Sequence, residues 1–309
     1  MSGEDRKNPG GRMDMTARDA GADWILSCGG MAIRVAGGDT VRGLMARAAE
    51  HCQAWIPGFR SADRGPRRRL SALCRIVLSQ RRAPRATFTA RPPTLRIEGD
   101  VSLLDPETFA EMLLLLFARL LQRRDCFLID GSAVRIHGEV VLLAGPAGAG
   151  RSAAALQLAL QGHEILATDR CLVSKDMKLL DGTTAFRLEP RMTHKYPALL
   201  TGTAPPIIAP CRGKPPSIGL VVHLCLGESA SASREIDRPK RKLVMSSNVI
   251  SRLAGRPAVV APWGLFLPQV TLARDVRSRH EAILNMAGLR QAVLFCRPED
   301  LEVLLAKIF

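Results

Sequence analysis

Aromatic side chains are scarce in this chain: one Tyr, three Trp and nine Phe, 4% of 309 residues. With 47% apolar residues a sizeable core is still possible, and it must be built from Leu, Val, Ile and Ala. Acid is short as well. Forty-four Lys and Arg stand against 29 Asp and Glu, a formal charge of +15. That imbalance favours an anionic partner such as a nucleotide, an acidic peptide, nucleic acid or a membrane surface, although genome composition also enriches arginine. Paired cysteines are missing. None of the eight forms a CxxC, and no Cys/His cluster has zinc spacing. Cys126, Cys225 and Cys296 sit in apolar runs and read as small core residues, usage that fits a reducing cytoplasm. Long hydrophobic runs are missing too. The longest, Met112 to Ala118, is flanked by Glu111 and Arg119 and falls far short of the roughly 20 residues a spanning helix needs. Met1 to Arg18 has no apolar signal segment, so residues 1–22 are expected to form a disordered basic tail. Neither Gly-x-Ser-x-Gly nor a papain-like Cys signature points to hydrolysis, and His137, His163, His194 and His223 are too scattered for a metal site.

The chain that remains divides in two, an N-terminal α+β region over 23–125 and a larger α/β domain over 126–309. Residues 23–36 predict two strands joined at Gly29-Gly30, and residues 39–53 a helix with Val41, Leu44, Met45 and Ala48 on one face. Eleven arginines follow between Arg60 and Arg96, interrupted by prolines, around strand-like RIVLS, ATFTA and TLRIEG. With only Phe59 and Phe88 nearby, this stretch lacks the aromatic interleaving of a nucleic-acid surface. A groove for an acidic peptide or a solvated face suits it as well, and nucleic acid is the weaker reading. Asp105-Pro106-Glu107 is a helix start, with a cap, a proline in the first turn and an acid at the positive end of the dipole, and the helix should run to about Arg123. Beyond the central segment, a strand is expected at 217–226, a basic polar segment at 234–242, then a weakly patterned stretch, a strand at 292–296 and a closing helix over 298–308.

The chemistry concentrates after Val140-Val-Leu-Leu-Ala144, an apolar run of the kind a buried parallel strand needs. Gly145-Pro146-Ala147-Gly148-Ala149-Gly150-Arg151-Ser152 comes next, then a helix from Ser152 and Ala153 to Leu160, a stop at Gly162, and a second apolar run, Ile165 to Ala167. This is the strand–loop–helix context of the phosphate-binding pattern G-x-x-x-x-G-K-[ST]. There, glycines let backbone N–H groups approach phosphate oxygens, a cation neutralises them and the hydroxyl ligates Mg²⁺. Arg151 stands where that pattern has Lys; it keeps the charge with a different reach. A Gly-rich strand-to-helix turn with a helix-start Ser152 is the plainer reading of the same residues.

The segment LIDGSAVRIHGEVVLLAGPAGAGRSAAALQLALQGHEILATD, Leu128 to Asp169, resembles the core of the HPr kinase/phosphorylase-like family, whose nucleotide-binding fold is phosphoenolpyruvate-carboxykinase-like. Ser132-Ala133-Val134, Gln161-Gly162-His163 and the acid at Asp169 carry the likeness, and Glu189-Pro190-Arg191 matches a Pro-Arg segment loosely. The resemblance implies an ATP- and Mg²⁺-dependent kinase. Its relatives phosphorylate a carrier protein, peptide natural-product precursors such as lasso peptides, or small molecules, and they assemble as hexamers or smaller homo-oligomers. It implies phosphates held by Gly145 to Ala153, metal by Ser152 and Asp169, and Asp169 or Asp130 orienting the acceptor hydroxyl. Arg191, in a possible basic lid with Arg187 and Lys195, would stabilise the transferring phosphoryl group. Three positions depart from the family: Arg151, Asp130 where a His is usual, and Thr168 where the first of two consecutive acids is usual. These departures keep a second reading open, a nucleotide- or phosphate-binding pseudokinase acting as regulator or scaffold. Asp130 also reads as a turn residue, and Asp169 as a turn acid paired with Arg170.

Overall fold

The structure, a computed structural model, describes residues 23–28, 31–37, 39–63, 72–81, 83–90, 93–184, 214–227, 232–254, 259–260, 265–266 and 273–309. The expected tail at 1–22 and the expected lid with Arg187, Arg191 and Lys195 lie outside them. The fold is mixed α/β.

The N-terminal region is a six-stranded sheet ordered β3-β1-β2-β4-β6-β5. Its strands are β1 (Asp23–Cys28), β2 (Met31–Ala36), β3 (Arg60–Asp63), β4 (Ala72–Gln80), β5 (Arg85–Ala90) and β6 (Pro93–Gly99). β1 and β2 pair antiparallel, as the two strands expected there require. The alternation of β4 and β6 buries Ile76, Leu78, Leu95 and Ile97 and leaves Arg75 and Arg96 exposed, so those two arginines are a solvated sheet face. The buried face packs on α1 (Asp39–Trp55) and α2 (Pro106–Leu120). Asp105 caps α2 as expected, accepting a hydrogen bond from the Thr108 amide at 2.8 Å. The α-helix stops at Leu120, and a 3-10 turn, Leu121–Arg124, completes the expected span. Nearly every residue of α2 from Phe109 to Leu120 is buried, because it lies between α1 on one side and the C-terminal elements on the other.

Those elements begin with β7 (Cys126–Asp130), β8 (Ser132–Ile136), β9 (Glu139–Ala144), α3 (Arg151–Leu160), β10 (Glu164–Ala167), β11 (Arg170–Ser174) and β12 (Leu179–Gly182). They continue with β13 (Ile218–Leu226), β14 (Ala232–Glu235), α4 (Pro239–Ala254), the short β15 (Val259–Val260) and β16 (Leu265–Phe266), α5 (Ala273–Gly288), β17 (Arg290–Cys296) and α6 (Leu301–Ala306). A central sheet runs β10-β8-β9-β13-β17-β14, with β9, β13 and β17 parallel. β9 is an unbroken apolar run because both faces are covered. Val141 and Leu143 meet α3 and α6, while Val140, Leu142 and Ala144 meet the second layer. That layer holds α4, α5 and a small antiparallel sheet, β12-β11-β7. Within the small sheet Phe127 and Ile129 face the central sheet, whereas Leu128 and Leu172 join the α1–α2 core, so the two sequence regions share one apolar interior.

Three expectations need correction. The polar segment at 234–242 is edge strand β14 and the start of α4, and the weakly patterned stretch contains two four-turn helices, α4 and α5. Cys225 is exposed, not core: it lies on the opposite face of β13 from Leu224 and Leu226, which pack with α3 and α6.

Candidate functional site

The loop Gly145–Gly150 leaves the C-terminal end of β9, the end at which open α/β sheets bind ligands. Its glycines are dictated by space and dihedral. A Cβ on Gly145 would lie 2.7 Å from the Leu224 carbonyl oxygen, a backbone atom that cannot yield. Gly150, the N-cap of α3, has φ +84°, and a Cβ there would press on the Leu226 side chain at 2.8 Å. The loop is tied to β13 by the Leu226 amide, which donates to the Ala149 carbonyl at 3.0 Å. Ser152 stands half-buried in the first turn of α3.

Arg151 opens that helix. Its Nη1 is buried with no hydrogen-bond partner. Burial pushes its guanidinium below the ordinary arginine value; Asp130 and Asp169 pull it back up, and Arg252 and Arg170 push it down. These five residues form one electrostatic cluster. Asp130 ends β7, opposite Arg170 in the β7–β11 pairing. Arg170 Nε lies 3.4 Å from Asp130 Oδ1, and its Nη1 lies 3.4 Å from Asp169 Oδ2. Arg252, in the last turn of α4, lies 3.7 Å from Asp130 Oδ2 and donates through Nη1 to the Gly145 carbonyl at 2.5 Å. Three guanidinium groups therefore face two carboxylates, leaving one positive charge over beside a loop of backbone amides. Such a site attracts anions.

The structure brings together the loop, Arg151, Asp130 and Asp169, as the sequence expected, and it includes the pair between Asp169 and Arg170. Arg191 lies outside the described residues. Thr168 is fully buried and turned inward, donating to the Thr183 carbonyl at 2.9 Å. Three residues of the site, Arg252, Thr183 and Trp55, were not named from the sequence, and Arg170 was named only as a partner of Asp169. Arg170 and Arg252 supply two of the three cations. Thr183 Oγ1 accepts from the amides of Asp169 and Arg170 at 3.0 and 2.9 Å and so fixes the turn that carries both. Trp55, at the end of α1, accepts a hydrogen bond from Arg170 Nη1 on its carbonyl at 3.0 Å and places its ring under the guanidinium at 5.9 Å. Only Arg170 carried a signal, its place directly after Asp169. The others arrive from distant parts of the chain.

Among the described residues no group of three or more His, Cys, Asp or Glu is placed to hold a metal, and no helix is long and apolar enough to cross a membrane. Magnesium bound with phosphates needs only one or two carboxylates, so the hard oxygens of Ser152, Asp169 and Asp130 fit an ion carried in by a nucleotide, not one held by protein alone. No protein-family model matches the chain, and no curated protein matches it significantly.

Proposed function

We propose that this chain is an ATP-dependent phosphotransferase with a phosphoenolpyruvate-carboxykinase-like nucleotide-binding core of the HPr-kinase type. It acts on a hydroxyl of a peptide, a protein or a small molecule. The observation that carries the reading is the buried Arg151 Nη1, without a hydrogen-bond partner, at the mouth of a glycine loop, within a cluster holding one surplus positive charge. The loop amides and Arg151 hold the β- and γ-phosphates. Magnesium, held by Ser152 and Asp169, would shield phosphate charge. With Thr168 turned into the core, Asp130 supplies the second carboxylate, brought beside Asp169 by their shared partner Arg170. Asp130 or Asp169 takes the proton of the acceptor hydroxyl, whose oxygen attacks the γ-phosphorus; the bond to the bridging oxygen breaks and ADP leaves.

One observation favours a second reading. Both carboxylates are already paired with arginines, an arrangement that suits a protein that binds nucleotide or a phosphorylated ligand without transfer. Calorimetric titration of Mg-ATP into wild type and Arg151→Ala, followed by an assay for ADP, separates the two. Micromolar binding lost in the variant, with ADP released, supports the kinase. Binding with no ADP across peptide and small-molecule acceptors supports the pseudokinase. No binding by the wild type rejects both for ATP.

A further inference from the structure

Helix α4 carries charge of the wrong sign at its start. Lys240, Arg241 and Lys242 occupy its first turn, preceded by Arg238, and that turn contains no acid. The positive end of a helix dipole disfavours cations, so this arrangement costs stability unless an anion meets it. It also borders a groove of about 730 Å³ between α4 and the β14–β17 edge of the central sheet. Arg234, Arg238, Lys240 and Arg241 line it, against Glu235 and Asp237, and Glu235 is paired with Arg290 at 3.7 Å. Its apolar lining is open to solvent: Val244 is 60% exposed and Phe295 50%, and Met245 lines the groove with them. Two exposed large apolar residues in one concave, positively charged groove are what a partner carrying both apolar and acidic side chains would cover.

We infer that this groove docks an acidic peptide segment bearing apolar side chains. Carboxylates of the segment meet Arg234, Arg238, Lys240 and Arg241, and its apolar side chains seat on Val244, Met245 and Phe295. Nucleic acid fits less well, since the apolar lining offers one aromatic ring for stacking and otherwise aliphatic side chains. A planar bilayer cannot follow a concave groove. The basic rim and the loop-bound arginine lie toward opposite ends of α4: Lys240 and Arg252 are twelve residues apart, about 18 Å along the helix. The inference stands whether or not the loop transfers phosphate.

The test uses the full chain and a short fluorescein-labelled peptide with Glu and Leu in alternation, read by anisotropy. Two control peptides carry Lys for Glu or Ser for Leu. The Glu/Leu peptide is expected to bind, each control at least tenfold more weakly, and the Arg238→Glu/Lys240→Glu variant at least tenfold more weakly than wild type. Both substitutions are at exposed positions and improve the match to the helix dipole, so an unfolded variant is not the expected cause of a loss. A second variant, Phe295→Ser, should weaken the Glu/Leu peptide while leaving the Ser-for-Leu control unchanged. Failure of the Glu/Leu peptide to bind overturns the inference, as does equal binding of the Lys control or undiminished binding by the charge-reversed variant. Tighter binding of oligouridine or of phosphatidylserine vesicles, abolished in that same variant, would overturn it in favour of RNA or membrane.

Discussion

Arg252 and Gly145 are 107 residues apart in sequence and share a hydrogen bond of 2.5 Å, the guanidinium of α4 holding the carbonyl of the first loop glycine. The same guanidinium lies beside Asp130. One side chain from the second layer thus fixes both the loop and a candidate catalytic carboxylate. Removing it should free the loop and remove one positive charge from the candidate site. Charge-assisted hydrogen bonds contribute about 1.5–3 kcal/mol. Arg252→Ala is expected to weaken Mg-ATP binding by about tenfold or more in calorimetry, while circular dichroism remains that of a folded protein.

Gly150→Ala tests the loop conformation directly. A left-handed backbone at a non-glycine residue costs roughly 1–2 kcal/mol, and the new methyl must also displace Leu226. The variant should melt several degrees lower and bind nucleotide much more weakly. Gly138→Ala is a useful control. It has a similar positive φ, but a Cβ there meets no neighbouring atom, so it should lose some stability and keep its binding.

An acid introduced at position 168 should not raise turnover. Thr168 is buried with its hydroxyl directed at the Thr183 carbonyl. A carboxylate placed there faces another acceptor at a fully buried position, and a buried acceptor left without a donor costs about 1–3 kcal/mol before the charge is counted. Thr168→Asp is expected to lower the denaturation midpoint and leave ADP release no higher than wild type. A gain in turnover would show that position 168 reaches the substrate.

The buried thiols set an alkaline limit on stability. Burial raises Cys52 from its ordinary 9.0 to about 12 and Cys74 and Cys296 to about 11, and it pushes Cys28 higher still, with Asp181 and Cys126 adding to the rise. The folded chain therefore holds protons that the unfolded chain releases near pH 9. This contribution is complete below pH 9 and is lost as pH rises through the folded values near 11 to 12. Each such thiol costs about 1.4 kcal/mol per pH unit in that window. Cys52→Ala should flatten the fall in stability between pH 9 and 12, measured by urea unfolding. In the native state at pH 8, iodoacetamide should modify exposed Cys225 and spare Cys28, Cys52, Cys74, Cys171 and Cys296.

Much of this was legible in the chain because its causes are local. The Asp105 cap follows from neighbours in sequence, and the unbroken apolar run of β9 marks a strand covered on both faces. The loop glycines were readable from their spacing, although the close approach of Leu224 and Leu226 that requires two of them was not. Helices α4 and α5 were not legible. On α4 the buried positions Ser246, Val249, Ile250 and Leu253 keep helical spacing, but the face opens with a serine and the helix opens with cations. On α5 the buried face includes Asp275 and Ser278. Their tertiary partners, Arg123 at 3.8 Å and Asp125 at 2.6 Å, lie about 150 residues upstream. Polar residues in those places read as surface until the partner is known.

The sequence by itself determined that an apolar strand, a glycine loop and a helix opening at Arg151 follow one another, since apolar runs, glycine positions and helical spacing are properties of a few adjacent residues. Only the tertiary structure decided what surrounds them. It brought Arg170 between Asp130 and Asp169, carried Arg252 to Gly145, set Trp55 beneath Arg170, and turned Thr168 away from the loop into contact with Thr183. The reason is that charge pairing and burial depend on distance in space, and the layers that create those distances are joined by apolar packing between segments far apart in the chain.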